Sequence, residues 1–442
     1  MEMEGKMKSP RDKIFKSTKT IIIFSIFSRI LVFLKETLIA SKIGCCFKTD
    51  AYFVAFAGAT ILAEIIGEGI STSMVPILMK IEAKEGKDKK NDYINNILHM
   101  IILLSLILVI LGWRLSPIMV KILARGFGQE ESYLAIKLIK LGLPMIFFIL
   151  IRSVFVAFLQ SNHGFKAGAK SWVYNNTVYI IYLLFFNQYG VYGLMIGGVL
   201  ASLSQLFSVI PASINMGYKY SRYLNFKDIY FKEMVVFLIP IIVVLSINRI
   251  NLLIDRSIAS TLSKGSISYL NYADNIIQLV LGIFVTAIVT VLFPIISEEY
   301  SKDNWEGSKN IMKKGMKIIS KITVPATILL IVFSEPLVKL FFERGAFGPQ
   351  ATKITSEILI YYALGLISMS TVLILTKIHY AIHDARTPTI YATIGVISNL
   401  VLNIILTKYM GISGIALATS ISSTIVAILL VWGLKIKEEF MI

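Results

Sequence analysis

The chain has only two cysteines in 442 residues, and they are neighbours, Cys45 and Cys46. Adjacent cysteines do not readily meet disulfide geometry, so no disulfide framework is expected, and no metal-ligand spacing accompanies them. Charge is scarce too: 16% of residues are charged, against about 25% in soluble domains. The alternation of a membrane β-barrel over ~10-residue strands is missing. So is a cleavable signal, because a basic stretch leads straight into a full-length apolar segment. What fills the chain is continuous apolar runs of ~20 residues or more. Hydrophobic residues make up 56% and mean hydropathy is +0.73. Such runs satisfy their backbone polar groups in lipid only as helices. The expected fold is an all-α polytopic membrane protein.

The net charge of +17 does not point to nucleic acid, because the basic residues sit in alternate loops. Twelve spans are expected: 19–42, 50–79, 93–113, 131–160, 170–187, 191–216, 233–260, 266–297, 315–334, 353–378, 388–407 and 411–434. The connections after the second, fourth, sixth and eighth are basic, as Lys80, Lys84, Lys87, Lys89 and Lys90 illustrate. That pattern puts both termini in the cytoplasm. The expected layout is a basic tail (1–18), a six-helix lobe (19–217), a basic linker (218–232), a second six-helix lobe (233–434) and a tail (435–442).

The two lobes read as an internal repeat. Ile39-Ala40-Ser41 recurs as Ile258-Ala259-Ser260, and Val75-Pro76-Ile77 as Phe293-Pro294-Ile295. Tyr189-Gly190-Val191-Tyr192-Gly193 recurs as Met410-Gly411-Ile412-Ser413-Gly414, and Arg29 meets Arg249, all at offsets of 218–221 residues. Segments 113–131 and 335–353 also match, and read as short amphipathic helices at the outer interface. Six spans per lobe give both the same orientation, related by an axis along the membrane normal around a central cavity.

Charges inside the spans are the functional candidates. A charge near the bilayer centre costs at least ~2.5–3.5 kcal/mol, so each must face a wet interior or a partner. Arg29, Lys35 and Glu36 share the first span, with Arg29 and Glu36 seven apart on one face. Asp50, Glu64, Glu68, Arg152, Arg249, Asp255, Arg256 and Asp274 follow. Arg29, Lys35, Arg249 and Arg256 are candidates for binding an anionic head group, since Arg grips phosphate bidentately. Glu36, Asp50, Glu64, Glu68, Asp255 and Asp274 are candidates for coupling or gating. Structurally, Lys35 with Glu36, or Asp255 with Arg256, could equally be partners that hold helices together. Pro76, Pro144, Pro240 and Pro294 are candidate kinks. His163 and His383 invite an enzymatic reading, but they lie in matching turns with no nucleophile elbow or metal spacing beside them. No catalytic residue and no metal site is assigned.

Several stretches resemble one family. SRILVFLKETLIASKIG with TDAYFVAF, and GEGISTSMVPIL, are similar to the first two helices of the MurJ/MviN lipid II flippases; INLLIDRSIASTLSKGSISYLNYAD with VTVLFPIIS resembles their seventh and eighth. ERGAF and AIHDARTP resemble their later loops. The resemblance implies the multidrug/oligosaccharidyl-lipid/polysaccharide exporter fold. It implies a polyprenyl-pyrophosphate-linked cell-wall precursor, moved between leaflets of a bacterial cytoplasmic membrane by alternating access. Implied partners are that lipid-linked glycan, membrane lipid and cell-wall synthesis proteins; no cofactor beyond a coupling cation is implied. Arg29, Glu36 and Asp50 match charged cavity positions of the family, and Lys35 stands where Arg is usual. Ala63 and Glu64 replace a pair of arginines, Asn275 replaces another, and twelve spans stand where the family typically has two more. These departures keep open an exporter of another undecaprenyl-linked oligosaccharide and, behind it, a drug/cation antiporter.

Overall fold

The computed structural model describes residues 10–302 and 304–436, with side chains from residue 22 onward except 187, 248, 435 and 436. The side chains of the basic stretch expected over 1–18, and of the tail over 435–442, lie outside the described residues. Helix α1 spans Pro10–Ile43 and α2 Phe47–Leu123. Continuous as α2 is by hydrogen bonding, it turns back on itself at Gly86, whose φ of 86° breaks the helix. Leu123 consequently lies against Gly58 on the outgoing arm. The second and third expected spans are these two arms. Glu82 and Lys90 meet at 2.6 Å beside the turn, and that hydrogen bond holds the Glu82 carboxyl below the usual carboxylate range.

The fourth pass is α3 (Gln129–Gly142) running into α4 (Pro144–Ser161), broken where Pro144 lacks an N–H. Helices α5 (Phe165–Phe185) and α6 (Gly190–Asn215) complete the first lobe. The second lobe begins with α7 (Ile229–Ala259). Its eighth pass is α8 (Ser266–Val280), a π turn over Leu281–Val285, and α9 (Thr286–Ser301). After α10 (Trp305–Val332) and the short α11 (Ser334–Phe342), the tenth pass is α12 (Pro349–Leu364) and α13 (Leu366–Ala381), bent by 46° at Gly365. Helices α14 (Arg386–Met410) and α15 (Ile412–Ile436) close the chain. Among the described residues this makes twelve helical passes and no strand.

The repeat is visible in the backbone. The fourth and tenth passes break at matching places, and His163 and His383 both adopt φ of 60°. One expectation changes: α11 is a separate short helix as anticipated over 335–353, but its counterpart over 113–131 stays joined to α2 through Leu123.

Lipid contributes no hydrophobic drive between helices, so packing and polar contacts hold the bundle. A chain of hydroxyls links α2, α5 and α6: Tyr52 Oη lies 2.5 Å from Tyr179 Oη, which donates to the Leu194 carbonyl. Leu106, Ile110, Ile122, Phe207, Val236 and Ile428 are left exposed on the outside of the bundle. The inter-lobe linker is docked on the return arm of α2. Asn91 accepts from Lys219 N–H and donates to the Gly217 carbonyl; Asn96 does the same with Asn225 N–H and carbonyl at 2.6 and 3.0 Å. Asn95 donates to the Lys219 carbonyl and accepts from Tyr218 Oη. Asn96→Ala removes two of these bonds, a loss of roughly 1–2 kcal/mol. Limited trypsin digestion at Lys219, Arg222 and Lys227 should accelerate several-fold in that variant; an unchanged rate would show that the strap does not rely on Asn96.

Candidate functional site

The membrane-level charges converge where α1 and α2 meet α7 and α8. Arg29, exposed on α1, lies across Gly282 in the π turn; a Cβ there would come within 2.9 Å of Arg29 Nε. Lys35 pairs with Glu36 at 3.1 Å and lies 5.2 Å from the Tyr179 ring centre. Glu36 is buried and accepts from Asn271 of α8 at 3.2 Å. Arg256 reaches across from α7 to donate to the Phe53 carbonyl at 3.1 Å, within electrostatic reach of Glu36, Asp274 and Glu64. Asp274 accepts from Gln278 at 3.2 Å and feels both Arg256 and Arg29. Arg249 pairs with Glu64 at 3.4 Å. Glu68 is exposed one turn further along α2, away from this network.

A cavity of about 190 Å³ lies in the second lobe's half, lined by Asn251, Asp255, Arg256, Asn271, Asp274 and Thr419 among others. Small-molecule pockets run ~300–1,000 Å³, so a sugar head group enters only if the lobes part. Asp255, buried on α7, does not use Arg256 as the partner expected from sequence. Its Oδ1 accepts from Asn403 at 2.6 Å, its Oδ2 from Thr419 at 3.4 Å, and Asn403 also donates to Asn399 at 2.7 Å. Asn403 and Asn251 each keep a buried side-chain oxygen with no hydrogen-bond partner among the described residues. The result is an oxygen-rich nest around one carboxylate. Asn399 and Asn403 went unnoticed in the sequence, although two amides four apart in an apolar helix are a readable signal.

At the end of the bundle remote from the inter-lobe linker, the lobes are locked. Asp50, one of the gating candidates, faces the start of α8 in the other lobe. Its oxygens accept from Gly265 N–H at 2.7 Å, Ser268 N–H at 2.8 Å and Ser268 Oγ at 2.6 Å, so it caps α8 from the other lobe. Two matching turns flank this cap. Gly126 N–H donates to Ser260 Oγ at 3.1 Å, and a Cβ on Gly126 would meet the Ser260 carbonyl at 2.3 Å. In the other lobe Ala346 N–H donates to the Ser41 carbonyl at 2.8 Å, and a Cβ on Gly345 would meet that oxygen at 2.2 Å. Ser41 and Ser260 are the equivalent serines of the repeat, so each lobe seats its Arg-Gly turn on the other's serine. Lys264 adds an ion pair to Glu131 at 3.2 Å.

Two six-pass lobes joined at one end, with a charged cavity in the second beside a seam of charges from both, form an arrangement for carrying a polar group across lipid. The family model described as Lipid II flippase MurJ matches residues 39–441. This chain belongs to that family. It is 32% identical to the lipid II flippase MurJ of Thermosipho africanus, over 94% of this chain and 85% of that protein. To the probable lipid II flippase MurJ of Vibrio cholerae it is 28% identical, over 97% and 84%. Among solved structures, a lipid II flippase MurJ in an inward closed conformation superposes with a TM-score of 0.85 at 30% identity, covering 95% of this chain and 88% of that one. An inward-facing multidrug resistance MATE family transporter gives 0.78 at 14% identity, a likeness of fold alone. The protein is thus a multi-pass transporter of the bacterial inner membrane with the family's two-lobed architecture.

Gly345→Ala should pry the locked end apart. Maleimide labelling of Cys45 and Cys46, which lie half-buried beside this seam, would rise about tenfold for a ~1.4 kcal/mol shift in the closing equilibrium. Wild-type labelling in the variant would mean that the turn does not hold the seam.

Proposed function

We propose that the protein moves a polyprenyl-pyrophosphate-linked cell-wall precursor of the lipid II kind from the inner to the outer leaflet by alternating access. The observation that carries this is the set of cations facing the inter-lobe space from both lobes in a chain of this family. Arg29, Lys35 and Arg256 would bind the pyrophosphate-sugar head group while the prenyl tail stays in lipid. The end locked by Asp50 would be the outer gate, with both termini cytoplasmic, in keeping with the basic loops after the even-numbered spans. Glu36 and Asp274 would neutralise the cations when no substrate is bound. A coupling cation would sit at Asp255, where carboxylate, amide and hydroxyl oxygens gather and the carboxylate bonds to Asn403 and Thr419 rather than to Arg256. The membrane potential supplies ~2.3 kcal/mol per charge per 100 mV, enough to bias a cycle that moves one net charge. Translocation of this kind makes and breaks no covalent bond.

One observation favours a second cargo, another undecaprenyl-linked oligosaccharide. Three cationic positions of the family are Ala63, Glu64 and Asn275 here, and Asn275 donates to the Asn271 carbonyl within its own helix. Expression in a strain depleted of its essential lipid II flippase separates the two. Growth rescue that falls at least tenfold in plating efficiency with Arg29→Ala or Arg256→Ala supports lipid II as cargo. No rescue by folded, membrane-inserted protein moves the assignment to the other glycan. Intact rescue by both variants would remove the proposed grip. Asp255→Asn should abolish any dependence of transport on sodium or proton gradient while sparing head-group binding; gradient dependence surviving that change would place the cation elsewhere.

A further inference from the structure

Glu64 stands among arginines. Its Oε2 lies 3.4 Å from Arg249 Nη2, and its charge is felt by Arg152 of α4 and Arg256 of α7. Arg249 and Arg256 are seven residues apart, about two helical turns, so they project from the same face of α7. Arg152 stacks over Trp172, 5.1 Å from the ring, and donates to Ser171 Oγ at 3.3 Å, which fixes its head group. One guanidinium thus pairs with the Glu64 carboxylate, and two more, from α7 and α4, lie within its electrostatic reach.

This pair is built to be exchanged. The Glu64 and Arg249 side chains are 31% and 41% exposed, whereas Glu36 in its own ion pair is 10% exposed. A partly exposed carboxylate–arginine pair is held only weakly. A diphosphate offers the same arginines more charge and two-point hydrogen bonding at each. Nor is the pair needed to pin α2 to α7. The two helices already pack closely where Gly69 meets Leu238, and again where Arg256 binds the Phe53 carbonyl.

We propose that Glu64 is a tethered stand-in for the substrate's anion, holding the Arg249–Arg152–Arg256 subsite in the empty carrier until an incoming diphosphate displaces it. This rests on the reading above, in which the cargo carries a diphosphate. It makes Glu64 a specificity-determining residue. A monophosphate has one phosphoryl group with which to replace the carboxylate and reaches fewer of the arginines at once; a diphosphate spans two and wins. On release, Glu64 returns to the arginines and prevents rebinding.

Binding of undecaprenyl pyrophosphate and undecaprenyl phosphate to the full chain in lipid nanodiscs tests this, with thermal unfolding as a check on folding. Wild type should prefer the pyrophosphate by at least tenfold. The isosteric Glu64→Gln should tighten both ligands, the monophosphate more, and shrink that preference to about threefold or less. Arg249→Gln should weaken pyrophosphate binding at least fivefold, and the double variant should behave like Arg249→Gln alone. If Glu64→Gln weakens or leaves unchanged the binding of both ligands while wild type binds them, the stand-in role is overturned and the diphosphate cargo survives. If neither wild type nor Glu64→Gln binds either lipid although both are folded, the diphosphate reading itself fails and the stand-in falls with it.

Discussion

Asp50 places a carboxylate from the first lobe on the free N–H groups at the start of α8 in the second. The closed cavity depends on that contact. Helix termini leave N–H groups without intrahelical partners, and in a bilayer each must find one. Here the partner comes from the opposite lobe, so satisfying a helix end and joining the lobes are one event. Any motion that opens this end uncovers both a carboxylate and a helix terminus, which need water or new partners to be left bare. The seam therefore has a natural closed state, and opening it has a definite physical cost.

The flanking turns make the same point through sterics. Arg125-Gly126 and Arg344-Gly345 stand 219 residues apart and meet Ser260 and Ser41, themselves 219 apart. At both places the backbones approach too closely for any Cβ. Duplicated lobes thus yield a reciprocal joint, in which each half supplies a turn and a seat. The joint is backbone on backbone, so it closes to one well-defined geometry instead of sliding over a range of side-chain packings.

Inside, the charges are distributed by degree of commitment. Glu36 is buried against Lys35 and Asn271, and Asp255 is enclosed by Asn403 and Thr419. Glu64, Arg249 and Arg29 remain open. Enclosed groups are tied to neighbours in or across the lobes; the open ones face the seam with weaker ties. The loss of family arginines at Ala63, Glu64 and Asn275 is set against Arg249, Arg152 and Arg256, which place positive charge on α7 and α4.

The sequence by itself determined the class of protein, the twelve passes, the duplication and the band of charges that must face inward. All four follow from what lipid forbids: exposed backbone groups and unpartnered charge. Asp255, Arg256 and Asp274, which line the cavity, were legible on that ground as charges that must face inward. Partners were not. That Asp50 would cap a helix 215 residues away, that Asp255 would turn to Asn403 rather than to the adjacent Arg256, and that Glu64 would face Arg249 depended on how the two lobes dock. Local periodicity says which way a side chain points. Only the packing of one lobe on the other brings a second group to within hydrogen-bond distance of it.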